Sequence, residues 1–146
     1  MIPTASRRCR PRSCALSERF VQAIRADDIA PGGMKAVELH GREIVLCNRG
    51  GTFHAIARRC GHMNAPLEKG TLDGAIVTCA MHCAQFDAIT GQVLSGPVPT
   101  YLGNETLPPS AAVRLHTIDM LMHGVRTEPI PTYTVKVESG WVWVVV

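Results

Sequence analysis

The stretch CGHMNAPLEKGTLDGAIVTCAMHC, residues 60–83, contains two short boxes of metal-ligand residues. The first box is Cys60-x-His62 and the second is Cys79-x-x-His82, with sixteen residues between His62 and Cys79. Each box therefore offers one thiol and one imidazole. Two loops of this kind can bring two Cys and two His to one metal centre. The pattern predicts a metal site built from Cys60, His62, Cys79 and His82.

The mixture of ligand types in each box distinguishes between two kinds of metal. Zinc takes two Cys and two His tetrahedrally, and like ligands usually come in pairs close together in the sequence. A 2Fe–2S centre with two thiolates on one iron and two imidazoles on the other can take one ligand for each iron from each loop. The order Cys, His, Cys, His fits this second arrangement. A zinc-stabilised binding module is the alternative.

The composition indicates one folded domain rich in short strands. The chain has 146 residues, of which 46% are hydrophobic and 23 are Gly or Pro. A chain of this length can bury a core, and frequent Gly and Pro favour many short strands joined by turns. No run approaches 18 consecutive apolar residues, so we expect no transmembrane helix and no membrane partner.

The positive charge is concentrated at the start of the chain. Residues 1–19 contain five Arg and one Glu, a net charge of +4 within a total of +3, so the remaining residues sum to −1. This nearly neutral remainder lacks the basic surface that nucleic-acid binding requires. We expect residues 1–19 to be a basic, disordered tail, although an organelle transit peptide has a similar composition.

The six cysteines lack the regular spacing of a disulfide framework. Two of them lie in the boxes, and Cys47 falls within the β-branched run EIVLCN, where we expect a small buried hydrophobic residue. Free thiols are typical of a reducing compartment, so the chain is predicted to be cytoplasmic.

Short strands are predicted on both sides of the boxes, and the glycine pair at residues 50–51 predicts a tight hairpin turn. His40 and His54 lie in this strand region and are expected to be ordinary sheet or surface residues. The predicted strands are FVQAIRA (20–26), residues 34–40, EIVLCN (43–48), TFHAIA (52–57), TYTVKVE (132–138) and WVWVVV (141–146).

The boxes and their surroundings resemble the Rieske-type ferredoxins. After the second box come QFDAITG (85–91) and GPVP (96–99), which match the Q-F-D-x-x-T-G and G-P-x-P elements of that family. The resemblance covers about residues 20–99 and 129–146. It implies an all-β Rieske fold of stacked antiparallel sheets across a single domain, residues 20–146. A small inserted cluster-binding subdomain, residues 59–99, would hold one 2Fe–2S cluster at its tip, with its histidine ligands near solvent.

The resemblance implies that Cys60 and Cys79 hold one iron while His62 and His82 hold the other. Two ferric ions, two sulfides and two thiolates sum to zero charge, and neutral imidazoles add nothing. One-electron reduction therefore reaches only −1, which is less costly to bury than the more negative centre of an all-Cys site.

The residues around the second box differ from those of the high-potential Rieske proteins. Those proteins carry an extra Cys in each loop, joined as a disulfide, and a Ser and a Tyr that donate hydrogen bonds to the cluster. Here residues 63–67 contain no Cys, and Ala84 and Phe86 stand at the positions of the hydroxyl donors. Fewer donors stabilise the reduced cluster less. We therefore expect a midpoint potential of about −150 mV rather than about +300 mV.

The resemblance does not account for residues 100–128, which form an extra segment. Residues 104–110 are expected to be a loop because they include two consecutive prolines. Further on, Ile118, Leu121, Met122 and Val125 fall at i, i+3, i+4 and i+7, the spacing of a short helix. We expect the segment to pack on the sheet or to form a partner-docking surface.

The function that the resemblance implies is that of a soluble one-electron carrier. It would pass electrons from a flavin-dependent reductase to a terminal oxygenase, as the ferredoxins of ring-hydroxylating dioxygenase systems do, and would be a monomer when free. The sequence has no dinucleotide-binding G-x-G-x-x-G motif and no room for a catalytic domain. We therefore expect an electron-transfer component and not an enzyme. The alternative is a non-catalytic Rieske-like small subunit of a larger redox enzyme such as nitrite reductase.

Overall fold

The computed structural model describes residues 19–98 and 108–146, and its strands form three antiparallel sheets. Their orders are β1-β11-β10, β2-β3-β4-β9 and β5-β6-β7-β8. The third sheet is inserted between β4 and β9 of the second, as the predicted architecture requires. The strands are β1 (Phe20–Arg25), β2 (Met34–Leu39), β3 (Arg42–Arg49), β4 (Thr52–Ala57), β5 (Thr71–Asp73), β6 (Ile76–Thr78), β7 (Gln85–Asp87), β8 (Val93–Ser95), β9 (Thr132–Tyr133), β10 (Val135–Glu138) and β11 (Trp141–Val145).

Strand β3 is buried on both faces and joins two hydrophobic cores. Ile44 and Leu46 pack in one core with valines of β11. Val45 and Cys47, which point to the opposite face, pack in a second core with residues of the inserted sheet. A continuous apolar run suits a strand that is covered on both sides. Cys47 is the buried small residue that was predicted, and burial raises the pKa of its thiol to about 12.

The turn between β3 and β4 has the predicted two-residue form. Arg49 pairs with Thr52 across it, and Gly50 and Gly51 have φ angles of 59° and 99°. Type I′ hairpin turns need a positive φ at both central residues, which glycine adopts without steric cost.

The predicted strand at residues 132–138 is divided between two sheets. β9 pairs with β4, whereas β10 pairs with β11. Thr134 lies between them, and its carbonyl accepts a hydrogen bond from the N–H of Val145 at 2.9 Å. The prediction of one strand was wrong because its two halves join different layers of the stack.

The extra segment contains a longer helix than predicted. Helix α1 (Pro109–His123) begins at the second of two consecutive prolines. The loop prediction is therefore wrong for residues 109–110, because proline is favourable in the first helical turn, where its missing N–H is no loss. Val125 lies beyond the helix end. Residues 104–107 and the predicted tail, apart from Arg19, fall outside the described residues.

Among the described residues, the helix is too short and too polar to cross a membrane. His40 lies in the turn between β2 and β3 and His54 lies on β4, so both occupy the sheet region where they were expected.

Two glycines with positive φ offer a test of how tightly the chain packs on the inserted sheet. Gly91 (φ 73°) has no room for a Cβ, which would overlap the carbonyl oxygen of Ile130, whereas Gly74 (φ 57°) faces open space. We expect Gly74→Ala to cost about 1 kcal/mol of unfolding free energy from backbone strain alone. Gly91→Ala should cost about 2–5 kcal/mol because overpacking adds to the strain. Urea unfolding followed by circular dichroism measures both; equal losses would contradict the packing.

Candidate metal centre

The two boxes form loops with the same backbone hydrogen bonds. In each loop the Cys N–H donates to the carbonyl five residues on, at 2.9 Å, and the Cys carbonyl accepts from the N–H four residues on, at 3.0 Å. The residues at that fourth position, Asn64 and Cys83, have φ angles of 57° and 59°. The left-handed conformation turns each loop back on itself. Both boxes therefore share one backbone turn, in which the His stands two residues after Cys60 and three residues after Cys79.

The thiols of Cys60 and Cys79 lie side by side in the core that β3 shares with the inserted sheet. Each residue is only 2% exposed. Burial raises the pKa of the Cys60 thiol, and the neighbouring Cys79 adds to the increase. The N–H groups of His62 and Met63 donate hydrogen bonds to the Cys60 sulfur, and these bonds lower the pKa and so oppose the increase. These donors would stabilise a metal-bound thiolate.

The imidazoles of His62 and His82 meet edge to face. Their ring centroids are 5.1 Å apart and the ring planes are at 86°. His82 is half-buried, and its pKa is lowered by burial and by the nearby His62. The fold therefore brings all four predicted ligands together at one end of the inserted sheet.

One expectation about these histidines was wrong. Both were expected near solvent, but His62 is only 7% exposed. The last turn of α1 covers it, and the carbonyl oxygen of Met122 lies 3.0 Å from Nε2 of His62. The resemblance could not show this contact because the extra segment lies outside the part of the chain that it covers.

The arrangement fits two irons better than one zinc ion. Within residues 19–98 and 108–146, no three His, Cys, Asp or Glu side chains are arranged to hold a single metal ion. Zinc would need all four ligands within about 2.3 Å of one point. A 2Fe–2S centre takes two protein ligands on each iron, and the adjacent thiol pair and imidazole pair would supply them in this way.

The wall behind the second box is apolar. Ala84 and Phe86 are completely buried in the same core as the thiols. Neither side chain can donate a hydrogen bond, so these two positions supply no hydroxyl donor to a cluster.

An ion-pair network fixes the residues that directly precede the first box. The guanidinium of Arg58, two residues before Cys60, contacts Glu68 and Glu43, each at 2.6 Å. These contacts tie the turn after the first box to β3. The pattern of ligand spacing gave no indication of this network, because its acidic partners are distant in the sequence.

Comparison with known proteins identifies the family. The protein-family model for the Rieske [2Fe-2S] domain matches residues 19–108. The ferredoxin component of the naphthalene 1,2-dioxygenase system of Pseudomonas putida is 30% identical over 83 residues, which cover 57% of this chain and 80% of the relative. The 3-phenylpropionate/cinnamic acid dioxygenase ferredoxin subunit of Photorhabdus laumondii is 29% identical over 132 residues, covering 90% of this chain and 96% of the relative.

A solved structure has a similar fold. It is a complex of reduced oxygenase and oxidized ferredoxin in carbazole 1,9a-dioxygenase, and one of its chains matches with a TM-score of 0.64 and 25% identity. The match covers 88% of this chain and 94% of that one. The chain belongs to the Rieske [2Fe–2S] family, which confirms the predicted fold class and its single cluster. Helix α1 begins directly after the residues that the family model matches.

Proposed function

We propose that this chain is a one-electron carrier that takes electrons from a flavin-dependent reductase and passes them to a terminal oxygenase. The observation that carries the proposal is the position of the four predicted ligands, with two thiols inside the core and one imidazole, that of His82, near the surface. The relatives described above are ferredoxin components of dioxygenase systems. One similar structure is a complex of a ferredoxin with an oxygenase.

In this proposal Cys60 and Cys79 bind one iron, and His62 and His82 bind the other. When bound, the cluster supplies a site that accepts and releases one electron. The protein excludes water from the thiol side through the buried Ala84 and Phe86, and it performs no chemistry on the oxygenase substrate. The half-buried His82 lies between the core and the surface, so it offers a short path for the electron.

The proposed carrier acts in the cytoplasm and is a monomer when free. Among the described residues none of the four cysteines forms a disulfide, as a reducing compartment favours. The alternative, a permanent subunit of a larger redox enzyme, would require a stable partner of larger size. Size-exclusion chromatography with light scattering separates these cases. The carrier should elute alone at the mass of one chain, whereas a permanent subunit should elute with a larger partner.

The ligand assignment predicts the result of removing single ligands. Cys60→Ala and Cys79→Ala should abolish the cluster, because an iron that loses one of its two protein ligands is poorly held. Cys47→Ala is the matched control, since Cys47 is buried in the same core but lies outside the boxes. The measurements are the visible absorption and the acid-labile sulfide of each purified variant. A colourless wild-type protein containing zinc would contradict the assignment, as would cluster retention in both box variants.

The apolar wall predicts a low potential that hydroxyl groups would raise. Wild-type protein should have a midpoint potential of about −150 mV. Ala84→Ser and Phe86→Tyr should each shift it upward by on the order of 50 mV, because a hydrogen bond to a charged group contributes about 1.5–3 kcal/mol and stabilises the reduced state more. Phe86→Leu keeps the wall apolar and should leave the potential nearly unchanged. Protein-film voltammetry that gave a clearly positive wild-type value would contradict this account.

A further inference from the structure

The contact between α1 and His62 determines which ring nitrogen can bind metal. The Met122 carbonyl oxygen lies 3.0 Å from Nε2 of His62. A carbonyl oxygen only accepts hydrogen bonds, so Nε2 must carry the hydrogen and donate it. In the neutral ring the lone pair is then on Nδ1. A ligand histidine commonly donates its other N–H to a backbone carbonyl in this way, which fixes the ring orientation.

The position of this carbonyl in the helix favours the contact. Carbonyl groups in the last turn of a helix lack partners within the helix and carry partial negative charge. The Met122 carbonyl accepts one hydrogen bond from the N–H of Val125 at 3.2 Å, and its second lone pair is available to His62. The Met122 side chain is only 8% exposed, so it anchors this turn against the protein.

The chain that follows α1 is attached to both ends of the inserted subdomain. The N–H of Glu128 donates to the carbonyl of Gly61 at 3.0 Å, and the N–H of Ile130 donates to the carbonyl of Gly91 at 2.9 Å. At both glycines a Cβ would overlap a carbonyl oxygen of this segment. The close approach therefore requires glycine at residues 61 and 91. These contacts fix the chain five residues beyond the end of α1 against the first box, which keeps the end of the helix close to it.

His82 has a different environment. It is half-buried and borders a groove of about 460 Å³ whose other lining residues are apolar. Two of these, Met63 and Leu121, are 50% and 69% exposed. The ring of His82 is thus reachable from the surface at the point where the first box and α1 meet.

We propose that α1 is a built-in cap on one side of the cluster. The cap orients His62 through the Met122 carbonyl, closes this ligand to water and to a redox partner, and leaves His82 as the histidine ligand that a partner approaches. The inference rests on the proposed ligands and adds a positioning role for Met122. The cap would thus give α1 a function. With one side of the cluster closed, the electron would leave through the side of His82.

Chemical modification tests the difference between the two histidines. Diethyl pyrocarbonate acylates accessible imidazole nitrogens, and mass spectrometry of peptides locates the product. In cluster-loaded full-length protein, His62 should react roughly tenfold or more slowly than His82, because attack requires the cap to open. The exposed His40 serves as an internal standard for the reagent.

A matched pair of variants tests the role of Met122. Met122→Ser and Leu121→Ser cost similar helix propensity, but only Met122 has a buried side chain. Met122→Ser should bring the reactivity of His62 close to that of His82. It should also raise the midpoint potential, because the last turn of α1, without its buried side chain, would move its carbonyl away from the ring, and a ring without that acceptor donates less electron density to iron. Leu121→Ser should change neither quantity. Met122→Leu, which keeps a large apolar side chain, should leave both at their wild-type values.

The possible failures are distinguishable. Equal modification of His62 and His82 in the wild-type protein would overturn the cap, and this comparison needs no variant to fold. An unchanged reactivity and potential in a folded Met122→Ser protein would overturn the claim that the Met122 side chain anchors the cap. Lack of acid-labile sulfide in the starting wild-type protein would instead refute the proposed cluster ligands, and it is measured before the reagent is added.

Discussion

Two thiols buried side by side, those of Cys60 and Cys79, impose the constraint on which the rest of the site depends. As thiolates they would place two negative charges in an apolar core, which is unfavourable unless cations neutralise them. Two ferric ions with two sulfides provide that charge, and neutral imidazoles complete the coordination without adding more. The same two loops that bury the thiols also supply both histidines, so one pair of matching turns meets the electrostatic and the coordination requirement together.

The fold places these loops by stacking three sheets on β3. One face of β3 packs on the sheet formed by β1, β10 and β11, and the other packs on the inserted sheet and the thiols. The chain then returns through α1 and crosses the first box before it forms β9. The backbone contacts at Gly61 and Gly91 make the inserted sheet and the returning chain one packed unit. The cover on His62 is thus a consequence of the path by which the chain returns.

The sequence predicts what depends on short-range pattern and not what depends on the path of the chain. The four candidate ligands, the glycine turn at residues 50–51 and the burial of Cys47 are all visible within short windows. The hydrogen bond from His62 to Met122 spans 60 positions, and its acceptor is a backbone carbonyl that any residue would supply. The beginning of α1 was missed because consecutive prolines indicate a loop as readily as a first helical turn. The break at Thr134 depends on which sheet each neighbouring strand joins.

Pulsed EPR of the reduced protein with ¹⁵N-labelled histidine tests the central claim most directly. We predict strong couplings from two histidine nitrogens, because the proposed assignment places His62 and His82 on the iron that takes the electron. If a cluster still assembles when either histidine is substituted with cysteine, one of the two histidine nitrogen couplings should disappear. A reduced cluster without strongly coupled histidine nitrogen, or a protein with no iron signal at all, would contradict the assignment of a mixed Cys and His centre.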